Sequence, residues 1–102
     1  MMDGQKRTFI YQIKLKNPAQ ADMLSEDEKC IVSDHFEYLK MLLDEEKLIL
    51  AGRTEGAEFG IVIFEAEHEN SAREIMENDP VIINGLMHGE LYPYRLAFWR
   101  RH

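Results

Sequence analysis

The sequence predicts an α+β fold: a four-stranded antiparallel sheet with two helices on one face, in the order β-α-β-β-α-β. Three observations carry this reading. Residues 8–15 alternate apolar and polar side chains with the period of a half-buried strand. A capped, amphipathic helical segment follows from Ser25. A strand, a short turn, a strand and a second helical period then complete the pattern before a last apolar run. The chain has 102 residues, which suits a single domain over 1–102 and leaves no room for a second core.

The elements follow in order. In TFIYQIKL (8–15), Phe9, Tyr11, Ile13 and Leu15 share one face, and Asn17-Pro18 ends the strand. Ser25-Glu26-Asp27-Glu28 has the S-x-x-E form of a capping box, with three acids suited to the positive end of the helix dipole. This first helix is expected to run to about Lys47. At about 100° per residue, Ile31, Tyr38, Leu39 and Leu42 fall on one stripe, and His35 falls among them. KLILAG (47–52) reads as a buried strand, Thr54 to Ala57 as a turn, and EFGIVIFEA (58–66) as the second arm of a hairpin. Over 68–79, Ala72, Ile75, Met76 and Asp79 recur at helical spacing, and Pro80 ends that helix. Residues 81–89 read as irregular, broken by Gly85 and Gly89. LYPYRLAFW (91–99) reads as the last strand, with Pro93 placing it at an edge or a bulge.

This order is the split β-α-β arrangement of a ferredoxin-like fold. Helices on one face leave the other sheet face uncovered. That face is expected to meet a second copy in a two-fold homodimer.

Composition narrows the function. Twelve Lys and Arg against 19 Asp and Glu give a net charge of −7. An acidic surface argues against nucleic acid and against anionic membranes, both of which need a basic footprint. No apolar stretch approaches the roughly 20 residues of a membrane span. The single cysteine, Cys30, excludes an internal disulfide framework and suits a cytoplasmic protein. No metal or other cofactor is expected. His35, Asp79 and His88 have no tight ligand spacing, and the glycines form no phosphate loop.

Two polar residues stand out because the periodicity aims them inward: His35 on the first helix and Asp79 at the end of the second. A carboxylate beside a histidine can hold one tautomer and leave the other nitrogen free to take a proton. The structural alternatives are a core histidine bonded to a carbonyl and an aspartate that caps the turn before Pro80. Arg53, at a strand end, has the fork that holds an anionic substrate. His88 precedes the last strand close to the end of the second helix and could join a polar site. Tyr11 and Tyr38 read as core aromatics with a polar tip.

Three segments together resemble the YCII-related (YciI-like) family. Ser33 to Gly52, SDHFEYLKMLLDEEKLILAG, is similar to its first signature, in which a His opens an H-x-x-Y/R-L helical segment leading to a strand ending in Ala-Gly. AREIMENDPVIING (72–85) is similar to its second, a helix ending in Asp-Pro. ELYPYRLAF (90–98) resembles its closing strand. Glu46 stands where many members have Gly, Arg53 where Pro is frequent, and Val81 where an aromatic is common. The resemblance implies a dimeric α/β barrel with a pocket holding a His–Asp pair, here His35 and Asp79. The family includes a dehydrochlorinase of a chlorinated hydroxyquinol. The expected activity is cofactor-free proton abstraction with elimination or isomerisation of a small, aromatic or enolic compound. Catalysis falls to His35 and Asp79, and substrate contact to Arg53 and His88. The rival expectation is a dimer that binds a small ligand without chemistry.

Overall fold

The computed structural model describes residues 6–20 and 22–100. Its elements are β1 (Arg7–Leu15), a 3-10 turn (Pro18–Gln20), α1 (Glu26–Asp44), β2 (Leu48–Arg53), β3 (Gly60–Ala66), α2 (Glu69–Glu77), α3 (Pro80–Ile83) and β4 (Met87–Pro93). The strands form one antiparallel sheet in the order β2-β3-β1-β4. The helices cover one face. This is the α+β fold that the sequence predicts, with one helix more among the described residues.

Alternation in β1 decides the two faces. Phe9, Tyr11 and Ile13 point under the helices and are buried. In β3 their register partners are Phe64, Val62 and Gly60. Phe9, Tyr11 and Phe64 form the aromatic centre of the core, with the Tyr11 and Phe64 rings 5.6 Å apart and edge-on. The opposite face carries Ile10, Ile61 and Ile63, with Leu50 and Tyr92 at the flanking strands. Leu50 and Tyr92 are 47% and 48% exposed while Ile63 at the centre is buried, so the flanks of this face are apolar and open in the single chain.

The ends of α1 are set by local chemistry. The Ser25 hydroxyl accepts from the Glu28 N–H at 3.1 Å, and the Glu28 carboxylate accepts from the Ser25 N–H at 2.8 Å. The helix stops three residues short of Lys47. Glu46 takes a left-handed φ of 61°, while the Glu46 and Lys47 N–H groups return to the Leu43 and Leu42 carbonyls. This is a Schellman ending, a position that favours glycine.

Three further boundaries differ from the sequence reading. The second arm of the hairpin starts at Gly60 rather than 58. Glu58 stays in the turn because its N–H donates to the Thr54 hydroxyl at 2.8 Å and its carboxylate accepts from that hydroxyl. The segment expected to be irregular opens with α3, because Pro80 sits in the first turn of a new helix capped by Asp79. The last strand runs over Met87–Pro93 rather than 91–99. It is an edge strand, as Pro93 suggested, and Pro93 closes it opposite Phe9. Gly89 is a packing residue here, not a breaker. A Cβ on it would lie 2.9 Å from Ile82 Cδ1 and 3.2 Å from Met76 Sδ, so the missing side chain leaves room for the ends of these two side chains of α2 and α3 on β4. No helix among the described residues is long and apolar enough to cross a membrane.

Candidate active site

Three elements meet at one carboxylate. Asp79 is the hinge between α2 and α3. Its backbone leaves the helical region (φ −66°, ψ 128°), and its side chain turns inward to full burial. A buried carboxylate is costly unless donors surround it. Here they do. Oδ1 accepts from the Val81 N–H at 3.1 Å, and Oδ2 accepts from the Tyr11 hydroxyl at 2.7 Å. His35 Nδ1 lies 2.8 Å from both oxygens. A carboxylate can only accept, so this contact puts a proton on Nδ1, and in the neutral ring the lone pair then lies on Nε2.

His35 is buried on α1, one turn before Leu39, with 6% of its surface exposed. Nε2 makes no hydrogen bond that the described residues show, yet no buried side-chain nitrogen or oxygen among them lacks a partner. Nε2 is therefore the part of the ring that meets the cleft. That cleft is about 850 Å³ and opens between α1, the ends of β1 and β2, and the β2–β3 loop. Its wall is largely apolar, with Phe36 and Phe59 among its aromatic lining and Arg53 as the cation that the strand register turns to the helix side. Asp79 does not line it, so the carboxylate acts on the cleft only through His35.

The structure sorts the candidates. His35 and Asp79, 44 residues apart in sequence, come within hydrogen-bond distance. The two structural alternatives come out differently: His35 bonds a carboxylate rather than a carbonyl, and Asp79 is a cap, but of the helix that Pro80 opens and with the same carboxylate that holds His35. Arg53 registers opposite Gly60 on the helix-facing side and lines the same cleft. Val81, a second departure from the family pattern, is fully buried beneath Asp79 and does not line the cleft. His88 is not brought to this site. It pairs with Lys14 in register, its side chain alternates onto the open sheet face, and Glu90 lies 3.9 Å away. The last strand begins four residues earlier than the apolar pattern indicates, and that register decides which face His88 takes. Among the described residues no three His, Cys, Asp or Glu side chains converge to hold a metal.

Tyr11 is the member that sequence reasoning under-weighed. It is a core aromatic with a polar tip, as expected, but the tip ends on Asp79. Burial first, then the charge of Asp79 and the hydrogen bond to it, push the Tyr11 phenol far above its ordinary range. It therefore stays a donor. Tyr38 donates to the Ile75 carbonyl at 2.6 Å, and its phenol is pushed up to about 12 by burial, then by the charges of Asp79 and Glu45. Its bond ties α1 to α2 and stands outside the chain of groups that reaches His35.

Residues 10–94 match the model of the YCII-related domain. The chain belongs to the YCII-related family. No curated protein sequence matches it significantly. Among solved structures, this YCII-related chain is similar to muconolactone isomerase, with a TM-score of 0.69 and 17% identity over 93% of this chain and 96% of that one. It is also similar to the 5-chloro-2-hydroxyhydroquinone dehydrochlorinase of Burkholderia phenoliruptrix in complex with 2,5-dihydroxybenzoquinone. There the TM-score is 0.64 and the identity 18%, over 85% and 93% of the two chains. These likenesses establish the fold alone, a ferredoxin-like α+β subunit. The departures of this YCII-related chain from its family pattern now have places. Glu46 occupies the left-handed helix ending, and Arg53 stands on the cleft wall.

Proposed function

We propose that this YCII-related protein is a cofactor-independent enzyme that abstracts a proton from a small, enolisable or aromatic compound and completes an elimination or isomerisation. One observation carries the reading: a buried carboxylate fixes Nδ1–H of His35 and leaves Nε2 at the wall of an apolar cleft. In this reading Nε2 is the general base. Asp79 orients the ring and stabilises the imidazolium formed when the proton arrives. Arg53 holds an anionic or developing enolate oxygen by charge-assisted bonds. Phe36 and Phe59 supply flat apolar surface to a ring-sized substrate. The fold neighbours support this class of compound by their names alone, one acting on a lactone and one on a chlorinated hydroquinone.

The working unit is a homodimer that buries the open sheet face. The exposed Leu50 and Tyr92, beside Ile10 and Ile61, support this, as does the superfamily of the fold. His88 belongs to that face rather than to substrate binding. A cytoplasmic location suits the free, exposed thiol of Cys30.

The test is turnover. Small unsaturated lactones and halogenated hydroquinones are screened for isomerisation or halide release. For any compound turned over, His35→Ala is expected to lower kcat by about 10²–10⁴-fold, the usual contribution of a positioned general base. Unchanged turnover removes His35 from the chemistry. A compound that binds and shifts the ring signals of His35 but is never converted points to the binding dimer instead.

A further inference from the structure

We infer that Tyr11 is a positioning residue: its hydroxyl is the anchor that fixes the plane of the Asp79 carboxylate and so the direction of His35 Nε2. The inference goes beyond the His35–Asp79 reading on which it rests, because nothing in that reading requires a third side chain.

The terminal torsion of an aspartate is broad, so a carboxylate with one partner is free to swing. Asp79 has one anchor on each oxygen. Val81 N–H holds Oδ1 from the first turn of α3, and the Tyr11 hydroxyl holds Oδ2 from β1. With both held, both oxygens stay 2.8 Å from Nδ1. Removing the tyrosine oxygen leaves a single anchor, at 3.1 Å, on the oxygen away from the strand.

The anchor itself has little freedom. Tyr11 has no exposed surface, and its ring is wedged edge-on against Phe64. Its hydroxyl donates into a carboxylate oxygen at 2.7 Å, the length of a strong O–H···O bond. The three side chains come from β1, from α1 and from the α2–α3 hinge. The bond therefore sets where the helical layer rests on the sheet at the point where the cleft begins.

The test reads the ring directly and needs no substrate. In ¹⁵N-labelled protein the exchange of the His35 Nδ1 proton with water is measured for the wild type and for Tyr11→Phe. Loss of one charge-assisted bond is expected to speed that exchange about tenfold or more. The urea midpoint is measured alongside. If Tyr11→Phe lowers the midpoint while the Nδ1 proton exchanges at the wild-type rate, Tyr11 is a core residue only and the inference is overturned. Should Tyr11→Phe not fold, 3-fluorotyrosine installed at position 11 keeps the ring and the hydroxyl while making the phenol a stronger donor. The stronger anchor is then expected to slow exchange of the Nδ1 proton, and an unchanged rate overturns the inference. Failure of the base assignment shows separately, as undiminished turnover in His35→Ala.

Discussion

Replacing Asp79 by Asn tests the tautomer lock at a cost the structure allows to be worked out. The substitution keeps the shape but changes one acceptor oxygen into an NH₂ donor. Val81 N–H can only donate, so the amide oxygen has to take the Oδ1 position, 3.1 Å away. The NH₂ then replaces Oδ2, the one acceptor that stood 2.7 Å from the Tyr11 hydroxyl and 2.8 Å from His35 Nδ1, and a donor there opposes Nδ1–H even though the amide oxygen keeps the Oδ1 position 2.8 Å from that nitrogen. The hydroxyl can turn to accept. The imidazole can answer by moving its proton to Nε2 and accepting at Nδ1, which occupies the lone pair needed for base chemistry. Bonds to a charged group contribute about 1.5–3 kcal/mol and neutral ones about 0.5–1.5, so two weakened bonds amount to roughly 2 kcal/mol. Removing a buried charge offsets part of that, since desolvating a carboxylate is itself unfavourable. Asp79→Asn is thus expected to fold, with stability lowered by about 1–3 kcal/mol in urea titration. Its His35 ring is expected to show an Nε2-protonated population in long-range ¹H–¹⁵N spectra. A variant whose ring remains wholly Nδ1-protonated would refute the argument that Asp79 sets the tautomer.

Further outcomes follow from the same structure. Tyr11 has its folded-state phenol raised well above the value of about 10 in the unfolded chain, so its contribution is intact below that pH and is lost above it. Above pH 10 stability is expected to fall by roughly 1.4 kcal/mol per pH unit for this one group, and Tyr11→Phe should flatten that slope, as chemical unfolding across pH 9–11.5 would reveal. Glu46→Gly relieves a left-handed residue at the end of α1 and should raise stability by about 0.5–1 kcal/mol in the same assay, whereas a loss would mean that Glu46 supplies something besides its φ. Leu50→Glu places a charge on the open sheet face; a folded monomer in sedimentation is expected where the wild type sediments as a dimer, and a persistent dimer would move the interface elsewhere.

Much of the fold was legible because its signals are local. The capping box, the alternation of β1 and the helical stripe around His35 each lie within one turn or one strand of the groups they organise. The misplaced boundaries have non-local causes. Residues 91–99 are the more apolar run, but hydrogen bonding to β1 and the space that Gly89 leaves for Met76 and Ile82 select 87–93. Residues 80–83 read as a break because Pro80 stops α2, and the same proline suits the start of the next helix. At the site, periodicity aimed His35 and Asp79 inward but could not give their distance. Tyr11 was legible only as a buried aromatic, since its partner lies 68 residues away. His88 was misdirected by a strand that starts earlier than its apolar pattern.

Nε2 of His35 is proposed to remove a carbon-bound proton in the cleft. Hydrogen–deuterium exchange into small enolisable lactones and hydroxyquinones, followed by NMR in D₂O, tests it without requiring the full reaction. The wild type is expected to catalyse exchange at the acidic carbon of at least one compound, and His35→Ala to slow it by about 10²-fold or more. Exchange by His35→Ala at the wild-type rate would contradict the account.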